Sequence, residues 1–326
     1  MGLHFRKATS IFRKTIPFVL LRLGVGLLLG VLTVVYFGFI AWLGYTLVDA
    51  GTISGGIAIV GLLLSVGLFV WGWRLFSKYV LYLIKAGHIA VIAHIVETGD
   101  VPPNQIQYGK DQVKEHFVEA STLFAVDTVV TAVVKQFNEG VVSFSKLFSF
   151  VPSLKKLVRL LGKAVALAAS YIDEAIIAYM FVDGEQNRWQ SARDGVILYG
   201  KNWKPVLAST MLIVSGLYVA SFLLFIAFTP IAGVLGDLSS VFEIAGWAVV
   251  GGITLTVYTG FLKPWVKTVV ITTFLVEIEG ETPDSETADW IAGRSDRFQE
   301  LASKAETEES TTGTGPAGEE QVAVTP

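Results

Sequence analysis

The chain has 326 residues, 52% hydrophobic and only 16% charged, with a mean hydropathy of +0.59. Soluble domains are about a quarter charged, so this composition points to a membrane protein. A net charge of −3 gives no nucleic-acid signal, and the absence of cysteine excludes disulfides, thiolate metal sites and cysteine nucleophiles.

Residues 1–22 carry five Lys or Arg and no acid, and an uncharged apolar run follows over 23–48. That run is too long for a signal-peptide core and has no small-residue cleavage site, so it reads as a retained first span. Gly26 and Gly30 form a GxxxG spacing, which lets two helix backbones approach; the general abundance of glycine in membrane helices accounts for it equally. After a short turn at 49–56, the second span covers 55–73. Trp71, Trp73, Tyr79 and Tyr82 at its end have the placement of an aromatic belt. The helical pattern runs on through Arg74, Lys78 and Lys85. His88 and His94 are six apart, share no helix face, and read as ordinary packed or surface histidines.

Pro102 and Pro103 break this helix. Residues 105–148 are amphipathic, with Asp127 inside an otherwise apolar stretch. Lys155, Lys156, Arg159 and Lys163 then lie along one side of a helix, opposite Leu154, Leu157, Val158 and Leu161. Such a face suits anionic lipid headgroups. Residues 163–182 have the length and apolarity of a span, but Asp173 and Glu174 would each cost about 2.5–3.5 kcal/mol at a bilayer centre. The expectation is a helix packed at the inner face.

A polar and aromatic stretch, 184–204, leads into a third span over 206–232. Val206 to Ala227 holds no charge, and Lys201 and Lys204 stand outside it. The fourth span is expected at 243–262, closed by Lys263-Pro264-Trp265-Val266-Lys267. The resulting fold class is all-α: a polytopic helical membrane protein with about four transmembrane helices plus amphipathic cytoplasmic or interfacial helices. Its regions are a basic cytoplasmic arm (1–22), a first transmembrane hairpin (23–73), a cytoplasmic or interfacial helical region (74–204), a second hairpin (205–265), an amphipathic extension (266–280) and an acidic tail (281–326). Trp290–Ala305 has the pattern of a short helix, and the last twenty residues cannot form a core.

The turns at 49–56 and 233–244 contain no Lys or Arg, so the positive-inside rule places both termini and the middle region in the cytoplasm of a multi-pass cell-membrane protein. The two halves also share a pattern: an outward span, a short turn, an inward span ending in Trp and Lys, and an extension closing in Glu97-Thr-Gly-Asp-Val-Pro102 or Glu279-Gly-Glu-Thr-Pro283. A parallel internal repeat and chance likeness of two apolar hairpins both account for it.

Tyr199-Gly200-Lys201-Asn202-Trp203 before a span, and Thr272-Thr-Phe-Leu-Val-Glu-Ile-Glu-Gly280 after the last one, give the C-terminal part a resemblance to the choline transporter-like family. With fewer spans, no large extracellular loop and no cysteine, the chain looks like a reduced prokaryotic relative. The resemblance implies transport of a small, organic-cation-like solute.

Candidate substrate- or ion-path residues are Asp127, Asp173 and Glu174, with Tyr199, Asn202 and Trp203 from the family-like segment. A carboxylate at membrane depth is a cation or proton site by default; the same acids on a cytoplasmic helix would meet Lys163, Arg188 or Arg193. Adjacent Asp173 and Glu174 point about 100° apart and cannot form one chelating pair. Trp189, Tyr199, Trp203 and Tyr171 are candidates for a cation–π site, or for an interfacial belt. No phosphate loop, nucleophile elbow or dinucleotide fingerprint occurs, and the four histidines lack metal-ligand spacing. Neither an enzyme, nor a cofactor, nor a metal is expected. The reading is a small-solute transporter acting as a homo-oligomer in the bilayer, with a non-transporting scaffold or assembly subunit as the alternative.

Overall fold

A computed structural model describes residues 4–116, 120–141, 155–184, 187–237 and 240–312. Among them every regular element is helical. A short helix α1 (Phe5–Lys14) leads into α2 (Ile16–Asp49), which returns as α3 (Gly55–Phe76), a π-helical turn (Ser77–Leu81) and α4 (Tyr82–Thr98). Next come α5 (Gln105–His116), α6 (Ala120–Val141), α7 (Lys155–Val182) and α8 (Arg188–Lys201). The second hairpin is α9 (Trp203–Gly236) and α10 (Ser240–Val257), with another π turn (Tyr258–Leu262) and α11 (Lys263–Glu277); α12 (Ser285–Ala292) and α13 (Asp296–Thr312) follow.

Three helices are long and apolar enough to cross a membrane: Ile16–Asp49, the continuous Gly55–Thr98, and Trp203–Gly236. The fourth expected span falls on α10, which is 18 residues long and is not among those three. Large apolar side chains are exposed along both hairpins, including Leu27, Val34, Leu64, Trp71, Leu212 and Phe222. The core lies elsewhere. It is built from α4, α6, α7, α8 and α11, with the first turns of α9. Helix α7 is buried around its whole girth between Ala168 and Ala178, apart from exposed Ser170, as a central helix must be. Helix α9 buries Val206, Leu207, Thr210, Ile213, Val214 and Leu217, one stripe at helical spacing, and then emerges from the body.

Several expectations shift here. The basic N-terminal arm is helix α1, packed on α11 through Ala8 and Ile11, with Trp265 Nε1 donating to Thr9 Oγ1 at 3.0 Å. Part of the stretch expected as an acidic tail packs on the body. Ile291, Phe298, Leu301 and Ala305 of α12 and α13 are buried, and Ser295 Oγ donates to Gln136 Oε1 of α6 at 2.9 Å. Composition averages over this stretch and hides an apolar stripe recurring at helical spacing. Residues 313–326 lie outside the described residues. Gly26 and Gly30 have nothing within 4 Å of an added Cβ, so this GxxxG makes no close helix contact within the chain.

The faint likeness of the two halves is much stronger in the backbone. Helices α2 and α9 are both 34 residues long. Each is preceded by a single break residue of the same conformation, Thr15 (φ −97°, ψ 13°) and Asn202 (φ −107°, ψ 19°). The returning helices are each interrupted by a five-residue π turn. One constant offset relates Ser77 to Tyr258, Leu81 to Leu262, Gly99 to Gly280, and Pro102 to Pro283. Gly99 and Gly280 both have left-handed backbones, at φ 79° and 77°, which terminates a helix at little cost only in glycine. Helix α7 falls between the halves in the chain and packs against both α4 and α11.

Candidate functional site

Of the six sequence-predicted path residues, the structure brings three together. Asp127 on α6 and Asp173 and Glu174 on α7 converge with Lys85 of α4 and Lys267 of α11. Because neighbouring helical residues diverge, Asp173 turns toward α6, where Thr131 Oγ1 donates to its Oδ2 at 2.6 Å. Glu174 turns the other way, between the two returning helices. Lys267 Nζ lies 3.1 Å from Glu174 Oε2, and Lys85 Nζ lies 3.4 Å from Glu174 Oε1 and 3.6 Å from Asp127 Oδ2. Each half of the chain therefore supplies one lysine, about one turn past its π turn, to a single carboxylate on the helix between them.

These partners differ from the expectation for Arg188 and Arg193, which meet other groups; for Lys163 the expectation falls outside the described side chains. Arg193 Nε instead bonds its neighbour Asp194 at 3.0 Å. Arg188 feels Glu308 and Asp183 most strongly. The side chain of Lys163 lies outside the described ones, as do those of Lys155, Lys156 and Arg159, although the backbone there is helical. The lipid-facing reading of those four therefore stays an expectation.

Burial sets the charge states. Burial alone would raise Glu174, but Lys267 and then Lys85 hold it below its ordinary value, so it is ionised. Asp173 makes no ion pair among the described residues; burial, and then the charge of Asp127, push it up to about 8. Burial likewise raises Asp127, with Lys85 opposing. The cluster thus holds at least one carboxyl that keeps its proton near neutrality beside one that does not.

The cluster lines a cavity of about 430 Å³. Arg22 of α2, Tyr82 of α4, Tyr171 of α7 and Lys263 of α11 complete its wall. Tyr82 Oη donates to the Leu123 carbonyl at 3.1 Å, and Lys85 Nζ sits 5.4 Å from the Tyr82 ring centre. Tyr171 is buried, and its hydroxyl finds no hydrogen-bond partner among the described residues.

The other three predicted residues lie away from this cavity. Tyr199 is buried and donates to Asn138 Oδ1 at 2.6 Å. Asn202 donates from Nδ2 to Glu281 Oε2 at 2.8 Å, tying the start of α9 to the segment after α11. Trp203 packs edge-on to Phe137 and near Trp290. Trp189 carries Lys304 over its ring at 4.5 Å. Tyr199, Trp203 and Trp189 thus have structural partners of their own, and no aromatic cage forms with Tyr171. Sequence reasoning missed Lys85 and Lys267, which read as boundary lysines flanking a span. The available signal was their placement: each lies one turn inside an apolar helical continuation where a free ammonium would be costly.

His88 is buried and stacks on Phe18, ring centres 5.1 Å apart, as an ordinary packed histidine does. No protein-family model, no curated protein and no solved structure matches the chain.

Proposed function

We propose that the chain is a multi-pass membrane protein, with spans near 23–48, 55–73, 206–232 and 243–262 and with both termini and the packed body in the cytoplasm. In that setting it acts as an oligomeric small-solute transporter. One observation carries the reading: a buried charged cluster lodged between two like-built halves. Transporters built from repeats hold their coupling ions at the repeat interface. Charge taken this far out of water is costly, and such clusters of buried, shifted titratable groups gather at functional sites. The π turns beside both lysines support the same reading, since such turns recur at functional sites. In this mechanism Asp173 or Asp127 takes up and releases a proton as the lysines re-partition between Glu174 and Asp127. The two hairpins would then shift relative to α7. The wide exposed apolar faces of the hairpins, with the unoccupied Gly26–Gly30 pair, suit lipid and further copies of the chain.

The test is uptake of labelled small cations, zwitterions and anions by vesicles holding the purified protein, with and without a proton gradient. Gradient-driven uptake that Glu174→Gln abolishes in folded protein is the expected result. No gradient-dependent uptake of any of the three classes would remove the transport reading. Orientation is checked separately: cysteines placed at Thr52 and Ser239 should react with an impermeant reagent from outside, and cysteines at Ser10 and Thr312 should not.

The scaffold reading is favoured by a different observation. Segments 23–48, 55–73 and 206–232 contain no charged residue at all, so nothing ionisable stands at mid-membrane depth in them. On that reading the charged cluster only fastens the hairpins to the body, and Glu174→Gln lowers stability with no uptake to lose.

A further inference from the structure

The cavity beside the charged cluster has a surplus of positive charge. Four cations face it, Arg22, Lys85, Lys263 and Lys267, against three carboxyls. Lys85 and Lys267 are engaged by Glu174 and Asp127. Arg22 and Lys263 make no ion pair with a carboxylate among the described residues; the Lys263 ammonium lies 5.1 Å from the Tyr258 ring centre. With four cations against three carboxyls, a formal positive charge stays uncompensated even when every carboxyl is ionised. Tyr171, buried to 5% exposure, belongs to the same wall, and its hydroxyl has no partner among the described residues.

The place of the cavity says what fills it. Each of these two cations lies at the axial level of exposed apolar side chains: Leu20 is within one helical turn of Arg22, and Phe261 within one turn of Lys263. On the third wall Val80 and Leu83 are exposed beside Tyr82 and Lys85. The cavity therefore opens where the apolar faces of both hairpins give way to the polar body. In a bilayer that boundary is the headgroup layer.

We infer that this cavity binds the phosphate of an anionic phospholipid headgroup, with Arg22 and Lys263 as the charge partners and the Tyr171 hydroxyl as a hydrogen-bond donor. Guanidinium and ammonium together suit a phosphodiester, the first as a fork of donors and the second as a point charge. The acyl chains lie against the exposed faces of α2, α3 and the second π turn. The inference rests on the membrane placement of the hairpins and stands whether or not the chain moves solute.

The experiment uses the full chain in detergent micelles, titrated with phosphatidylglycerol, phosphatidylcholine or inorganic phosphate. Binding is followed by native mass spectrometry and by the shift in thermal unfolding. Phosphatidylglycerol is expected to bind in preference to phosphatidylcholine, and the Arg22→Gln, Lys263→Gln double variant to bind it about tenfold more weakly or worse. Arg22→Lys keeps the charge and should retain most of the binding, so a misfolded double variant would not decide the matter. Lys155→Gln with Lys156→Gln separates this site from the basic face: binding lost in that variant while the Arg22, Lys263 double variant keeps it would assign the lipid to the face and overturn the site. Undiminished affinity in the Arg22→Gln, Lys263→Gln double variant overturns the site. Inorganic phosphate that saturates the same cations and displaces the lipid at equal concentration overturns the lipid as its source. Release of the protein from membranes by alkaline carbonate would instead sink the membrane placement itself, a separate failure.

Discussion

A methyl group added to a glycine meets very different surroundings in the two hairpins. Along α2 and α3 an added Cβ at Gly24, Gly30, Gly61 or Gly67 meets nothing within 4 Å. On α10, an added Cβ at Gly246 would come within 2.8 Å of the Ala232 Cα on α9. The first pair is joined by aromatic side chains instead. Phe37 and Phe69 approach to 5.0 Å, Tyr36 and Phe69 to 5.5 Å, and Tyr36 Oη donates to the Ser65 carbonyl at 3.0 Å. The second pair also has one aromatic stack, Phe225 on Trp247 at 6.2 Å, so the same hairpin plan is closed once by side-chain packing alone and once with a close backbone approach added. The contrast continues in the charges. The Lys267 side chain is 6% exposed and that of Lys85 is 25% exposed, so the second half delivers its lysine into a drier place.

Four experiments break or sharpen this contrast. The largest effect is expected at the drier lysine. Lys267→Met leaves Glu174 with only the more exposed partner and should cost about 3–5 kcal/mol of stability, as for a broken buried pair. Lys85→Met should cost clearly less, and adding Glu174→Gln to Lys267→Met should restore part of the loss. Thermal unfolding in detergent reads all three; equal losses at the two lysines would erase the distinction between the halves. Second, helix α13 closes the body with buried Leu301, so Leu301→Ala should cost about 2–5 kcal/mol in the same assay. A negligible loss would mean that α13 merely rests on the surface.

Third, Gly246→Ala should lose about 1–3 kcal/mol through overpacking against Ala232, while Gly61→Ala and Gly67→Ala should be neutral or slightly stabilising. Matching behaviour in both hairpins would mean the first is also tightly closed. The smallest effect is in pH. Asp173 is raised to about 8 from an ordinary carboxylate value. The native state therefore binds a proton that the unfolded chain has already released, and stability from this group is full below about pH 4 and lost as pH rises through about 8. Glu174 is lowered and works in the opposite direction, losing its contribution only in acid. Between pH 6 and 9 the Asp173 effect stands alone of the two. Unfolding temperature should fall across that window in the natural chain and fall less in Asp173→Asn.

The three acids were legible because a carboxylate inside an apolar helix is rare enough to be conspicuous. Their partners were not, because pairing between α7 and two helices distant in sequence leaves no periodic trace. Lys85 and Lys267 each sit beside span-ending aromatics, where a lysine has an adequate local explanation. The long apolar helices were legible from run length alone. The π turns had no local signature: Ser77–Leu81 and Tyr258–Leu262 share only a final leucine. Their kinship shows only once the backbone places them at one offset. Tyr199 and Trp203 stood out as aromatics in a polar stretch, and their surroundings turned out to be Asn138, Phe137 and Trp290. A burial stripe in α8 that small and polar residues interrupt gives little hydropathy signal, although Ser191 to Gly200 is buried at most positions.

The helical run from Gly55 to Thr98, wound through one π turn, has 44 residues, a strut about 66 Å long. Its outer part stands free of the body, while its inner part is wedged so closely that Gly87 meets the backbone of Gly109. A side load on the free end therefore becomes torque at the embedded end. The π turn at Ser77–Leu81 lies near the point where free rod becomes clamped rod, and Lys85 lies just inside the clamp. Sideways strain in the surrounding medium would reach the Glu174 contact as a short, stiff displacement, geared down by the ratio of the two arms.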